Sequence, residues 1–252
     1  MIQCTELASY LQDFLSCNDF TDYAPNGLQI EGSQSIQRIC TAVTASRDAI
    51  NEAVSWKADA LFVHHGFFWR GEDQVITGMK HHRIKALLNN NINLFAYHLP
   101  LDCHLDIGNN ACIAKHLQVH SIKMHKAGST NNLLWSGTLD QLMKRTELKR
   151  LLHEIFQQPA VHIQGHDRPI QHIAWCSGAA QDFMVDAHRL GVDAFISGEI
   201  SERTFYQAKE LEIDYFSCGH HATERFGIQA LGNHLVTAFN LEHRFIDSNN
   251  PY

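Results

Sequence analysis

KADALFVHHG (57–66) and GVDAFISGE (191–199) carry one pattern twice. In each, an Asp-Ala pair opens a short apolar run: Asp59 and Ala60 in the first, Asp193 and Ala194 in the second. The first run ends in His64 and His65, and the second in Glu199 at the place of His65. Brief apolar runs of this kind, next to glycine, predict strands buried on both faces, as in a parallel sheet covered by helices.

Working outward, the same order of elements appears around both stretches. TELASYLQDFL (5–15) matches TELKRLLHEIF (146–156), with helical apolar spacing at Leu7, Leu11 and Phe14, and at Leu148, Leu152 and Ile155. LQIEG (28–32) matches VHIQG (161–165), a short alternating strand ended by glycine. IQRICTAVTAS (36–46) matches IQHIAWCSGAA (170–180), a buried strand running into small residues. INLFAYHLPLD (92–102) matches IDYFSCGHHATE (213–224), and FFWRGEDQVITG (67–78) is present only in the first copy. Repetition in this order predicts an α/β protein of two similar halves from an internal duplication, residues 1–125 and 126–252. Mostly parallel sheets with right-handed crossovers follow, with the boundary near KAGSTNN (126–132) and terminal segments free to cross over.

A chain of 252 residues that is 44% hydrophobic can build a sizeable core. A net charge of −7 with dispersed lysine and arginine argues against a double-stranded nucleic acid partner. No apolar run reaches the length of a membrane span, and MIQCTELASYLQDF has no signal-peptide pattern. Seven scattered cysteines with no CxxC pair point to reduced thiols and a cytoplasmic location.

The chemistry gathers at strand ends, where open α/β sheets bind ligands. His64 and His65 end one strand with Gly66 after them to let the backbone turn. His98 ends the next strand with Asp102 four residues on, and His220 lies at the equivalent end with Glu224 four residues on. The two His-x3-acid pairs occupy corresponding places, so a pseudo-twofold would bring both to a crevice between the halves. His220 and Glu224 fit one face of a starting helix, whereas Pro100 predicts a turn between His98 and Asp102. Mixed imidazole and carboxylate suits two divalent ions, Zn²⁺, Fe²⁺ or Mn²⁺, and a carboxylate such as Glu224 can bridge them. Glu199 is expected to be a general base, a carboxylate orienting a ligand, or the holder of a structural hydrogen bond. Phe67, Phe68 and Trp69 either line a pocket for a planar ligand or pack. The remaining histidines, His81 and His82 among them, read as solvated, capping or core residues.

DYAPNGLQIEG (22–32), TAVTAS (41–46), VHHGFFW (63–69), HLPLD (98–102), GNNA (108–111), SGE (197–199) and GHHATER (219–225) together resemble the GTP cyclohydrolase I type 2 family, also called Nif-three-like dinuclear metal centre proteins. The resemblance covers almost the whole chain. It implies that His64, His65, Asp102, His220 and Glu224 ligate two divalent ions, Glu224 being shared, with His98 close by. It also implies a ring-shaped homohexamer, a trimer of dimers, and a small-molecule substrate, GTP, whose purine ring is opened by hydrolysis at C8 with loss of formate. No P-loop or other triphosphate cradle stands in the sequence. The competing readings are a metal-dependent phosphoesterase and a non-catalytic metal-binding or scaffold hexamer.

Overall fold

In the computed structural model, which describes residues 1–252, the run Leu61–Val63 lies in the middle of a five-stranded sheet. The chain divides into two units, Met1–Gly108 with Gly227–Asn249, and Asn109–Phe226 with Asn250–Tyr252. The first contains β1 (Ile2–Gln3), α1 (Cys4–Phe14), β2 (Gly27–Ile30), β3 (Ser35–Ile36), β4 (Arg38–Thr44), α2 (Arg47–Ser55), β5 (Ala60–His65), α3 (Gly78–Asn89), β6 (Asn93–Ala96) and α4 (Leu99–Cys103). The second contains α5 (Asn109–Leu117), β7 (His120–Ala127), β8 (Thr130–Met143), α6 (Arg145–Phe156), β9 (Val161–Ile163), β10 (Ile170–Cys176), α7 (Met184–Arg189), β11 (Ala194–Ser197), α8 (Glu202–Glu210) and β12 (Asp214–Ser217). Helix α9 (His220–Phe239) begins in the second unit and ends in the first, to which β13 (Glu242–Phe245) belongs.

The sheet of the first unit has the order β13-β4-β5-β6-β2, and only β2 is antiparallel to its neighbour. Its apolar strands are covered on both faces. Phe62 and Phe95 pack with Leu7 and Leu11 of α1 and Leu231 and Leu235 of α9. Leu61, Val63 and Leu94 pack with Ile50 of α2 and Leu87 of α3. A parallel strand buried this way needs no polar face, which is why LFV (61–63) and LFA (94–96) read as unbroken apolar runs.

The second unit corrects the expectation of mostly parallel sheets. Its order is β7-β8-β10-β11-β12-β9, and only β10–β11 and β11–β12 are parallel. KAGSTNN is the turn region of the β7–β8 hairpin, with Gly128 at φ +56°. An antiparallel hairpin at a sheet edge tolerates a polar, exposed strand, so β7 carries no continuous apolar run. The core on one face joins Trp175, Ile196 and Phe216 to Leu148, Leu152 and Phe156 of α6.

Both units close the starts of their parallel strands with the same hydrogen bonds. Asp59 Oδ2 accepts from the Gln37 and Arg38 amides at 2.9 and 2.8 Å, and Asp193 Oδ2 accepts from the Gln171 and His172 amides at 3.0 and 2.9 Å. Asn93 Oδ1 accepts from the Gly32 amide at 2.8 Å, and Asp214 Oδ1 from the Gly165 amide at 3.0 Å. The far ends of the strands are thereby left to other side chains.

Candidate metal centre

In the first unit, β5 ends at His64 and His65. His64 is fully buried, and its Nδ1 lies 2.8 Å from the Tyr97 carbonyl oxygen. A carbonyl only accepts, so Nδ1 carries the hydrogen and Nε2 keeps a lone pair. That nitrogen stands 3.4 Å from Asp102 Oδ2. His65 Nδ1 lies 3.2 Å from Thr44 Oγ1. His64, His65 and His98 each offer a ligand atom, all within 4.8 Å of one another.

Asp102 is delivered by a helix rather than by the turn that Pro100 suggested. Pro100 sits in the first turn of α4, where no i−4 carbonyl requires its missing N–H. His98 is the residue before that helix, and its carbonyl accepts from the Asp102 amide at 3.1 Å. Gly66 is also held for a different reason than a turn. A Cβ there would meet Ala96 Cβ at 2.6 Å, so packing space decides it.

The inserted aromatics divide their roles. Phe67 is buried in the core beside Val63 and Ala96, whereas the Trp69 ring lies 5.8 Å from His65 and 5.1 Å from His98. Sequence reasoning gave no role to Asp22, whose side chain is only 3% exposed and has Oδ1 2.7 Å from His98 Nδ1. Burial alone would raise its pKa, but hydrogen bonding to His98, the charge of His98 and bonds from Asn26 and Tyr23 hold it below the usual value. The only signal was the turn-forming stretch DYAPNG.

In the second unit, His220 begins α9 and Glu224 lies one turn further along it. His220 Nε2 is 3.1 Å from Glu224 Oε1, and His220 Nδ1 is 2.6 Å from Glu199 Oε1. Burial works against a charged imidazole, yet the bonds and charges of Glu224 and then Glu199 carry the His220 pKa up to about 9. Glu199 thus engages a histidine rather than standing alone as a base. Gly178, at φ +65°, borders this pair: a Cβ there would lie 2.3 Å from Glu224 Oε1. Thr223 Oγ1 accepts from the Gly178 amide at 3.0 Å and donates to the His220 carbonyl at 2.9 Å. The small-residue run CSGAA was the sequence signal for that close approach.

Both units therefore present one chemical arrangement. An imidazole whose Nδ1 faces an acceptor turns Nε2 toward a buried carboxylate; with no hydrogen on Nε2, two acceptors would meet. Such a pair is repulsive unless a cation stands with it, a proton or a metal ion. The donor set of imidazole and carboxylate, without thiolate, fits divalent zinc, iron or manganese.

A family model for Duf34/NIF3 (NGG1p interacting factor 3) matches residues 2–251. The chain belongs to the Duf34/NIF3 family. Its relatives in that family include proteins named GTP cyclohydrolase 1 type 2 homolog. The one from Allochromatium vinosum is 44% identical over 251 residues, covering 100% of this chain and 98% of its own. The one from Vibrio cholerae is 45% identical over 248 residues, covering 98% of each. Among solved structures, protein ybgI, described as of unknown function, superposes with a TM-score of 0.95 at 42% identity, covering 100% of both chains. TTHA1606 from Thermus thermophilus gives 0.90 at 29% identity, again covering 100% of both. The family and the α/β fold are those the quoted motifs resemble.

Proposed function

We propose that this Duf34/NIF3 protein is a hydrolase that works with two divalent metal ions held by His64, His65, Asp102, His220 and Glu224. The observation that carries the reading is the repeated facing of an imidazole Nε2 on a buried carboxylate, His64 on Asp102 and His220 on Glu224, each histidine held through Nδ1. Bound Zn²⁺, Fe²⁺ or Mn²⁺ supplies Lewis acidity and brings the pKa of water toward neutrality. Glu199 orients His220. His98 accepts the proton released by the attacking water, and Trp69 flanks that histidine.

The substrate proposed is a purine nucleotide, GTP by the name its relatives carry, opened at C8 with release of formate. The matching bonds of Asp59 and Asp193, and of Gly32 and Gly165, support an internal duplication. A cytoplasmic location is proposed from the seven scattered cysteines read as reduced thiols, all of them free in the structure. The homohexamer proposed from the family resemblance is checked by sedimentation, where a monomer at micromolar concentration would contradict it.

The function is tested by incubating metal-reconstituted protein with GTP and measuring formate and phosphate separately. Formate release that disappears with chelation and in His98→Ala is expected. Phosphate without formate would replace ring opening by phosphoester hydrolysis, and neither product would overturn the assignment of GTP.

A further inference from the structure

We propose that Asp22 is the positioning residue for His98, fixing the imidazole as the Nδ1–H tautomer so that Nε2 is held as an acceptor. The inference rests on reading His98 as the proton acceptor, but its structural content stands on the Asp22 network itself.

Asp22 lies among N–H groups that can only donate. Its Oδ1 accepts from the Tyr23 amide at 2.6 Å, and its Oδ2 accepts from the Leu99 amide at 2.9 Å and from Asn26 Nδ2 at 2.9 Å. The orientation of the Asn26 amide is not free, because its Oδ1 accepts from the His98 backbone amide at 2.8 Å. Three donors on a buried carboxylate hold it ionised, leaving it no hydrogen to give. The His98 Nδ1, 2.7 Å from Oδ1, must therefore supply the hydrogen of that contact. Neutral His98 is left with its lone pair on Nε2, in a ring 5.0 Å from His64 and 5.8 Å from His65.

The same network also fixes the ring in space. Asp22 and Asn26 bind the His98 side chain, the His98 amide and the Leu99 amide, so the ring and the start of α4 move together. His220 is held through Nδ1 by Glu199 in the second unit, but Asp22 precedes the first repeated strand whereas Glu199 follows β11. Two different chain positions thus supply one device, a carboxylate on Nδ1, the arrangement by which carboxylates commonly set the basicity and direction of an imidazole.

Asp22→Asn separates the tautomer from the fold. An amide NH₂ placed at Oδ2 would face the Leu99 and Asn26 donors. Placed at Oδ1 it opposes only the Tyr23 amide and can donate to His98 Nδ1. The variant then moves the ring hydrogen to Nε2, and a donor replaces the acceptor.

The test is long-range ¹⁵N–¹H correlation of the imidazoles in ¹⁵N-labelled, metal-free protein at a pH where His98 is neutral, with His98→Gln used to assign the signal. Wild type should show the Nδ1–H tautomer of His98 favoured about tenfold or more, and Asp22→Asn should reverse it. Nε2–H in the wild type would overturn the proposal, with no dependence on how the variant folds. Retention of Nδ1–H by folded Asp22→Asn would overturn it equally. Metal content of the wild type reports separately on the hydrolase reading, since the tautomer is measured without metal or substrate.

Discussion

At the scale of single residues, Gly178 shows how closely the second unit fits around Glu224. Its φ of +65° disfavours any side chain, and a Cβ would press on the Glu224 carboxylate. Gly178→Ala should lower the bound metal and reduce stability by about 1–3 kcal/mol, read by metal analysis and urea unfolding. Unchanged metal content would show that Glu224 has more freedom than the packing allows. Asp102, His220 and Glu224 were singled out because a His-x3-acid spacing occurs twice at matching strand ends, and His64 and His65 because they end a strand before Gly66. Asp22 was not, since its partner His98 lies 76 residues away and no second copy of the pair marks it. Glu199 was singled out by its place at the strand end corresponding to His65, although its bond to His220 depends on how the chain folds after β11.

At the scale of elements, the strands and helices of both copies were legible from apolar spacing, while their edges were not. β7 and β8 follow no motif of the repeat, and their polar exposure hid a hairpin that makes the second sheet mixed. Helix α4 was missed because proline in a helix is forbidden only beyond the first turn. The packing of α9 and β13 in the first unit brings a pH dependence. His243 of β13 bonds Thr41 Oγ1 of β4, and burial lowers its pKa from 6.5. His234 of α9 bonds Tyr10 of α1 and is lowered for the same reason. A lowered histidine pKa means that the unfolded chain binds more protons, so the stabilisation is full above pH 6.5 and falls as pH drops toward the folded value. Below pH 6.5 metal-free His243→Gln should lose less stability than wild type in urea titrations, whereas the raised pKa of His220 adds stability in both as pH falls from about 9 to 6.5. An equal loss in both would remove His243 as a source.

At the scale of the whole molecule, each of the two units carries its own core and its own set of imidazole and carboxylate groups. The division is not a simple cut of the chain, because Gly227–Asn249 belongs with the first unit. Leu231 and Leu235 join Phe62 in the core of the first unit. Family membership supplies the relatives and their name, whereas the case for metal rests on the buried acceptor pairs. The most direct measurement is metal content per chain, on untagged protein purified without added metal, for wild type and Glu224→Ala. Close to two equivalents in the wild type, falling below one in a folded variant, is the result predicted. No bound metal after anaerobic reconstitution, or two equivalents retained without Glu224, would contradict the dinuclear centre.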